Sequence, residues 1–239
     1  MELSKRLQAI ANLCTVSTTI ADIGTDHGYL PIWLIENKKC EKAIAMDINT
    51  GPLERAMENI TTHQLQKQIE TRLSNGLTAL KENEVQGVVI AGMGGGLTIR
   101  ILADNFALVE QLKECILQPQ SEIDKVRRYL WENNLCIVQE DMIEEEGKYY
   151  PMLRVAQGCD IQGRVVQGLA APYTEEEFLY GRHLIKDKHP ILRAFLQKEI
   201  QSKEILLHKL EESKSEKAKK RQQSVAAELT QARGVLERI

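Results

Sequence analysis

Thr19-Ile20-Ala21-Asp22-Ile23-Gly24-Thr25-Asp26-His27-Gly28-Tyr29-Leu30-Pro31 is the stretch on which the reading of this chain turns. Its apolar start closes on a glycine and reads as a buried strand. Tyr29 to Asn37 then reads as a helix, because a proline is tolerated in the first helical turn. Gly24 and Gly28 let the chain turn tightly between the two and approach a ligand closely, and the helix behind offers free N–H groups. The same alternation recurs on moving outward. Ala43 to Asp47, Ile69 to Leu73, Val85 to Ala91 and Cys115 to Gln118 read as strands, with Leu53 to His63, Leu97 to Asp104 and Ile123 to Asn133 as helices. Leu135 to Met142 and Tyr150 to Ala156 flank the charged turn Glu144 to Lys148 without a helix between them, so they read as a hairpin. The expected architecture is α/β, a doubly wound and mostly parallel sheet closed by an antiparallel hairpin. Its ligand site is expected at the carboxyl ends of the strands, beside the first.

Composition narrows the class. With 43% hydrophobic and 27% charged residues, the 239-residue chain is globular and not wholly disordered. Apolar runs such as Val88 to Ala91 are too short to span a bilayer, and no signal-peptide pattern opens the sequence, so no membrane role is expected. Five cysteines, odd in number and without a CxxC pair, read as reduced thiols of a cytoplasmic protein, with no metal site.

Past Gly158 the character changes, so residues 1–158 and 159–239 are read as separate domains. Residues 159–172 read as a linker. Ile191 to Arg233 holds neither Gly nor Pro. Leu192, Leu196, Ile200, Leu207 and Leu210 approximate a helical stripe, and Val225, Leu229, Ala232, Leu236 and Ile239 recur in steps of 4, 3, 4 and 3. That periodicity predicts a coiled-coil hairpin, with the two helices joined between Ser213 and Ser224, where the stripe fails. Charge divides along the same line. Residues 1–158 carry 16 Lys and Arg against 22 Asp and Glu, a net −6, whereas residues 159–239 carry 15 against 12, a net +3. Lys214, Lys217, Lys219, Lys220 and Arg221 make the second part locally basic, a patch that reads equally as a solvated helix face or as a surface that meets a polyanion.

The chemistry gathers after the strands. A dinucleotide site would want G-x-G-x-x-G after the first strand, yet Asp26 stands where a pyrophosphate would have to sit. This disfavours NAD and suits a ligand bearing positive charge and no phosphate. Asp47, at the end of the second strand, is placed to accept hydrogen bonds from both hydroxyls of a ribose. Asn75-Gly76 after the third strand is a turn placed to border a purine. Ala91-Gly92-Met93-Gly94-Gly95-Gly96 follows the fourth strand and fails the dinucleotide fingerprint, since Leu97 occupies its last position. Gln118-Pro119 after the fifth strand reads equally as a surface turn or as an amide offered to a base edge. Walker A, HExxH and G-x-S-x-G patterns are absent. A non-catalytic RNA-binding protein is the rival reading, but 11 aromatic residues in 239 make a poor stacking platform for single strands.

Asp22-Ile23-Gly24-Thr25-Asp26-His27-Gly28-Tyr29-Leu30-Pro31, Ala45-Met46-Asp47-Ile48-Asn49, Ser74-Asn75-Gly76-Leu77 and Ala91-Gly92-Met93-Gly94-Gly95 together resemble the bacterial tRNA (adenine(22)-N(1))-methyltransferases, a branch of the Rossmann-like class I methyltransferases. The resemblance runs over nearly the whole chain and departs from the family at Gln120, where Asn commonly follows the Gln-Pro pair. It implies S-adenosylmethionine as cofactor, held by Asp22, Gly24, Gly28, Asp47, Ile48, Asn75, Gly76, Ala91, Gly92 and Met93. It implies methyl transfer to N1 of adenine 22 of tRNA, with Asp26, His27 and Tyr29 around the target base. Gln118, Pro119, Lys217, Lys219, Lys220 and Arg221 are then the RNA contacts. A monomer is the favoured state.

Overall fold

The computed structural model describes residues 1–157, 172–212 and 215–239. Its chain divides into two compact units, 1–171 and 172–239. The domain boundary read at 158/159 and residues 159–171 of the linker read over 159–172 lie outside the described residues.

The first unit begins with a helix that the sequence pattern did not reveal, α1 (Lys5–Leu13), capped by the Ser4 hydroxyl accepting from the Leu7 N–H. Then follow β1 (Thr19–Ile23), α2 (Tyr29–Glu36), β2 (Lys42–Asp47), α3 (Thr50–Thr62), β3 (Ile69–Leu73) and β4 (Gly87–Met93). The unit continues with α4 (Gly95–Asp104), α5 (Phe106–Val109), β5 (Glu114–Pro119), α6 (Ile123–Glu132), β6 (Leu135–Glu145) and β7 (Lys148–Gln157). The seven strands form one sheet in the order β3-β2-β1-β4-β5-β7-β6. Pairs among β1 to β5 are parallel, and β7 runs antiparallel to both β5 and β6. The strand order reverses between β1 and β4, which makes that crevice the switch point where open α/β sheets bind ligands.

Helices cover both faces. Ile20, Ala43, Ala45, Val89 and Ile116 pack with Ile10 and Leu13 of α1, Leu30 and Ile32 of α2, and Ala56 and Ile60 of α3. Because side chains alternate along a strand, Val88, Ile90 and Leu117 turn to the other face, where α4 and α6 bury Leu102, Val126 and Leu130. The expected hairpin is present, but its turn is tighter than the charge run suggested. Glu146 and Gly147, at φ 52° and 77°, make a two-residue connection whose twist matches the strands, so both strands extend into the charged residues.

The second unit contains α7 (Glu175–Tyr180), α8 (Arg182–Lys186), α9 (Pro190–Glu211) and α10 (Glu216–Arg238). A capping box, in which Thr174 and Glu177 satisfy each other's backbone N–H groups, starts α7. Lys203 pairs with Glu228 and Glu204 with Arg233, and a connection of only four residues makes α9 and α10 antiparallel neighbours, as the hairpin reading expects. The joint falls at the start of the stretch read for it. Helix α10 begins at Glu216, because polar residues of good helix propensity continue a helix even where its apolar stripe stops. The buried stripe is Ala218, Val225, Leu229, Ala232 and Val235, so Val235 takes the place expected of Leu236. Among the described residues, no helix is long and apolar enough to cross a membrane.

Candidate functional site

Backbone hydrogen bonds draw the carboxyl ends of the central strands together. The Gly24 and Thr25 N–H groups both donate to the Met46 carbonyl, at 2.8 and 2.9 Å, which sets the turn after β1 against the end of β2. The Ser74 N–H donates to the Asp47 carbonyl at 2.8 Å and brings in the turn after β3. Gly24, at φ 78°, is required twice over: its backbone is left-handed, and a Cβ there would stand 2.4 Å from the Met93 methyl of β4. Asp22, Gly24, Asp47, Ser74-Asn75 and Met93 thus share one rim, much as the sequence reading expects.

Asp47 is half-buried, and one carboxylate oxygen accepts from the Asn49 N–H at 2.8 Å, which leaves the other free to accept. Ile48 beside it is 60% exposed, an apolar surface at the mouth of the site. Asn75 is exposed, whereas Gly76 is buried, and a side chain there would press on Ile101. Gly76 therefore packs the turn under α4. Arg72 of β3 braces the loop that follows, donating to the Ala79 carbonyl and to both oxygens of Glu84.

Asp26, His27 and Tyr29 stand at the outer lip. The His27 and Tyr29 rings stack, 5.0 Å between centroids and 9° from parallel, and both remain partly exposed. The Asp26 carboxylate is already engaged, which the sequence reading did not foresee. It accepts from Arg55 Nη2 of α3 at 2.7 Å and lies 3.4 Å from His27 Nε2. Asn59, one turn beyond Arg55 on the same face of α3, donates to the His27 carbonyl, and Gly28 packs on Ala56 between them. One face of α3 therefore clamps the whole 26–28 loop.

On the other side of the crevice, β4 pairs Ala91 with Gln118 and Met93 with Pro119, so Gly92 is an extra residue in a bulge at φ 78°. Gln118 is fully buried and Pro119 is buried with it. The Gln118 amide oxygen accepts from Arg6 Nη1 at 3.1 Å, so this amide supports another side chain and is not presented to a base edge. Arg6, Arg55 and Tyr150 are the residues of this site that the sequence reading missed. The amphipathic pattern Lys5 to Leu13 could have revealed α1, but nothing local marks Arg6 as reaching the strand ends.

Asp22 projects to the α1–α3 face, the same as Ile20, and is nearly inaccessible. Burial pushes its carboxyl up to about 6, with the Thr25 hydroxyl and Arg6 pulling the other way. A carboxyl raised on folding keeps its proton in the native state after the unfolded chain has lost it. Stability then falls as pH rises from about 4 to about 6 and is flat above. Asp22→Asn removes this penalty, so the variant should be more stable than wild type at pH 7, by about 3 kcal/mol. Urea unfolding at pH 4, 5 and 7 checks it: the difference should close by pH 4, and an offset constant with pH would mean that titration is not the cause.

Lys217, Lys219, Lys220 and Arg221 belong to the second unit and are exposed on the first turns of α10. Lys219 pairs with Glu216 and Arg221 with Glu228, whereas Lys217 and Lys220 make no ion pair among the described residues. Also among the described residues, no cluster of His, Cys, Asp or Glu could hold a metal ion.

The donor set at the rim fits an adenosyl cofactor better than a dinucleotide: a carboxylate after β2, an exposed apolar side chain beside it, and a carboxylate in the β1 turn. Comparison with known proteins points the same way. A family model described as a methyltransferase domain matches residues 3–153. The tRNA (adenine(22)-N(1))-methyltransferase of Bacillus subtilis is 32% identical over 201 residues, covering 84% of this chain and 82% of that protein. Among solved structures, Streptococcus pneumoniae Sp1610 in complex with S-adenosyl-L-methionine superposes with a TM-score of 0.84 at 31% identity, covering 98% of this chain and all of that one. TrmK of M. capricolum in complex with S-adenosyl-homocysteine gives 0.83 at 28% identity, with both chains covered completely.

Proposed function

This chain belongs to the tRNA (adenine(22)-N(1))-methyltransferase family, and from that premise we propose that it methylates N1 of adenine 22 in tRNA, using S-adenosylmethionine. The observation that carries the reading is the rim itself. Asp47, Ile48 and Asn75 stand beside the turn at Gly24 on the β1 side of the switch point, a setting that suits a ribose and a purine and offers no phosphate site. Asp47 would accept from the ribose hydroxyls, Ile48 would cover the purine face, and Gly24, Gly28, Ala91, Gly92 and Met93 would let the backbone approach. When bound, the cofactor supplies an activated methyl group on a sulfonium.

Adenine N1 carries a free lone pair, so the chain needs no strong base to create a nucleophile. Its task is alignment. The stacked His27 and Tyr29 rings offer a face for the base, and Asp26 offers a carboxylate to its N6 amino group and to the positive charge that develops on the ring. Arg55 holds that carboxylate in place. Because N1 is occupied in a base pair, the target adenine must be unpaired or turned out.

The direct test is incubation with unmodified tRNA and labelled S-adenosylmethionine, followed by mass-spectrometric mapping of the product. N1-methyladenine at position 22 is expected. Methyl label at another base or atom would overturn the assignment. Asp26→Asn keeps the size of the side chain and removes its charge. It should lower turnover more than tenfold while the melting temperature stays near that of wild type. Retained turnover with lost stability would make Asp26 a structural cap.

In the second unit, the unpaired Lys217 and Lys220 are the expected phosphate contacts. Reversing both charges should raise the apparent KM for tRNA about tenfold at 0.15 M salt, and lower the salt slope of tRNA binding by about 2. An unchanged slope would leave these charges as a solvated helix face.

A further inference from the structure

Gln120 is the first residue past β5, and its amide is uncommitted. The backbone N–H donates to the Met93 carbonyl at 2.8 Å, which ties the residue to the end of β4. The side chain is exposed and makes no hydrogen bond among the described residues. A Cβ at Gly92 would stand 3.7 Å from Gln120 Nε2, so the amide lies over the β4 bulge, next to the Met93 methyl that closes on Gly24. Arg6 Nη1 comes equally near the bulge, but Gln118 and the Tyr150 ring engage that guanidinium.

The backbone around Gln120 is held on both sides. The Gly95 N–H donates to the Ser121 carbonyl at 3.1 Å, and a Cβ at Gly95 would stand 2.4 Å from that oxygen. The Glu122 carboxylate accepts from the Gly96 N–H and from Lys125. The loops after β4 and β5 are thus joined into one body, from which a free amide projects at the mouth of the crevice.

Asp47 and Asn75 read the nucleoside of the cofactor on the β1 side, so the acceptor base approaches from the side of β4 and β5. Its N1 must face the sulfonium, and the edge that carries N1 cannot be covered by a reader. The opposite edge of adenine presents the N6 amino group as donor and N7 as acceptor. A carboxamide carries the complementary pair, an oxygen that accepts and an NH₂ that donates. Guanine presents two acceptors along that edge and a pyrimidine has no N7, so the same amide would reject both. The second N6 hydrogen, beside N1, remains for Asp26.

We propose that Gln120 is the specificity-determining contact for the target base, with Oε1 accepting from N6 and Nε2 donating to N7 of the adenine. This inference rests on the activity proposed above and adds to it how the base is chosen and which way it is turned.

The test compares full-length unmodified tRNA with the same tRNA carrying 7-deazaadenine at position 22, where C–H replaces N7. Wild type should lose about fivefold in kcat/KM on the deaza substrate, the effect of one neutral hydrogen bond. Gln120→Leu should lose about 20-fold on normal tRNA and show no further loss on the deaza tRNA. Gln120→Glu keeps an acceptor for N6 but sets a second acceptor against N7, so it should prefer the deaza tRNA and reverse the wild-type order. Affinity for S-adenosylhomocysteine, read by calorimetry, should stay within twofold in both variants, which also reports that they are folded. A wild type indifferent to N7, or variants that keep the wild-type ratio between the two tRNAs, would overturn the contact. A larger loss of S-adenosylhomocysteine affinity would assign the amide to the cofactor and overturn it as well. A wild type that leaves N1 of adenine 22 unmethylated in normal tRNA would overturn the activity reading itself, a result distinct from the others.

Discussion

Asp47→Ala is expected to weaken S-adenosylmethionine binding by about 10²- to 10⁴-fold, because two charge-assisted hydrogen bonds at about 1.5–3 kcal/mol each would be lost. Stability should change little. The carboxylate makes one hydrogen bond inside the protein, to the Asn49 N–H in an exposed turn, and water replaces it at small cost. Neighbouring anchors of the turn are all backbone and survive the substitution: the N–H groups of Gly24 and Thr25 on the Met46 carbonyl, and that of Ser74 on the Asp47 carbonyl. Calorimetry with wild type and variant, alongside thermal melts without ligand, separates the two effects. An affinity within threefold of wild type would remove Asp47 from the ribose. A melting temperature lowered by several degrees would instead show that the acid holds the β2–α3 turn.

Breaking the buried pair between Arg127 of α6 and Glu140 of β6 should have the largest effect on folding. Nε and Oε1 are 2.8 Å apart, and the two side chains are 1% and 0% exposed. Arg127→Met leaves a carboxylate buried without its cation and is expected to cost about 3–5 kcal/mol. In a unit of this size that lowers the melting temperature by roughly 6–20 °C. Arg127→Met with Glu140→Leu removes both charges and refills the space with apolar atoms, so most of the loss should return. Denaturant unfolding of the two variants decides the matter. A double variant as unstable as the single one would show that packing, and not the uncompensated charge, sets the cost. Cofactor affinity should barely move in either, since β6 is an edge strand away from the switch point.

Much of the site was legible because it is local. Gly24 and Gly28 adopt the left-handed backbone that a strand-to-helix turn demands, and no other residue takes it as cheaply. Asp47 ends a strand, so counting strands was enough to bring it beside Gly24. The closing hairpin was legible for the same reason, although its turn shrank to Glu146-Gly147. What failed did so in particular ways. Gln118 was read as a contact because it follows a strand, yet its complete burial depends on α1 and β7 covering that strand end. The partner of Asp26 went unread, since Arg55 lies 29 residues away and meets it only because α3 folds back over the β1 turn. In the second unit the polar start of α10 looked like a joint, because a stripe of apolar residues records what a helix packs on and not where the helix begins.

The sequence by itself determined the alternation of strands and helices from β1 to the closing hairpin, the two glycine turns and the acids at the strand ends. Each of these follows from backbone conformation or side-chain period within about ten residues. Only the tertiary structure decided which charges are free. Arg6 reaches Gln118 across 112 residues, Arg55 takes Asp26 across 29, and Glu140 takes Arg127 in the dry contact between α6 and β6. Burial and pairing depend on every element packed around a group, and a charge's surroundings in the folded chain have no period along the sequence.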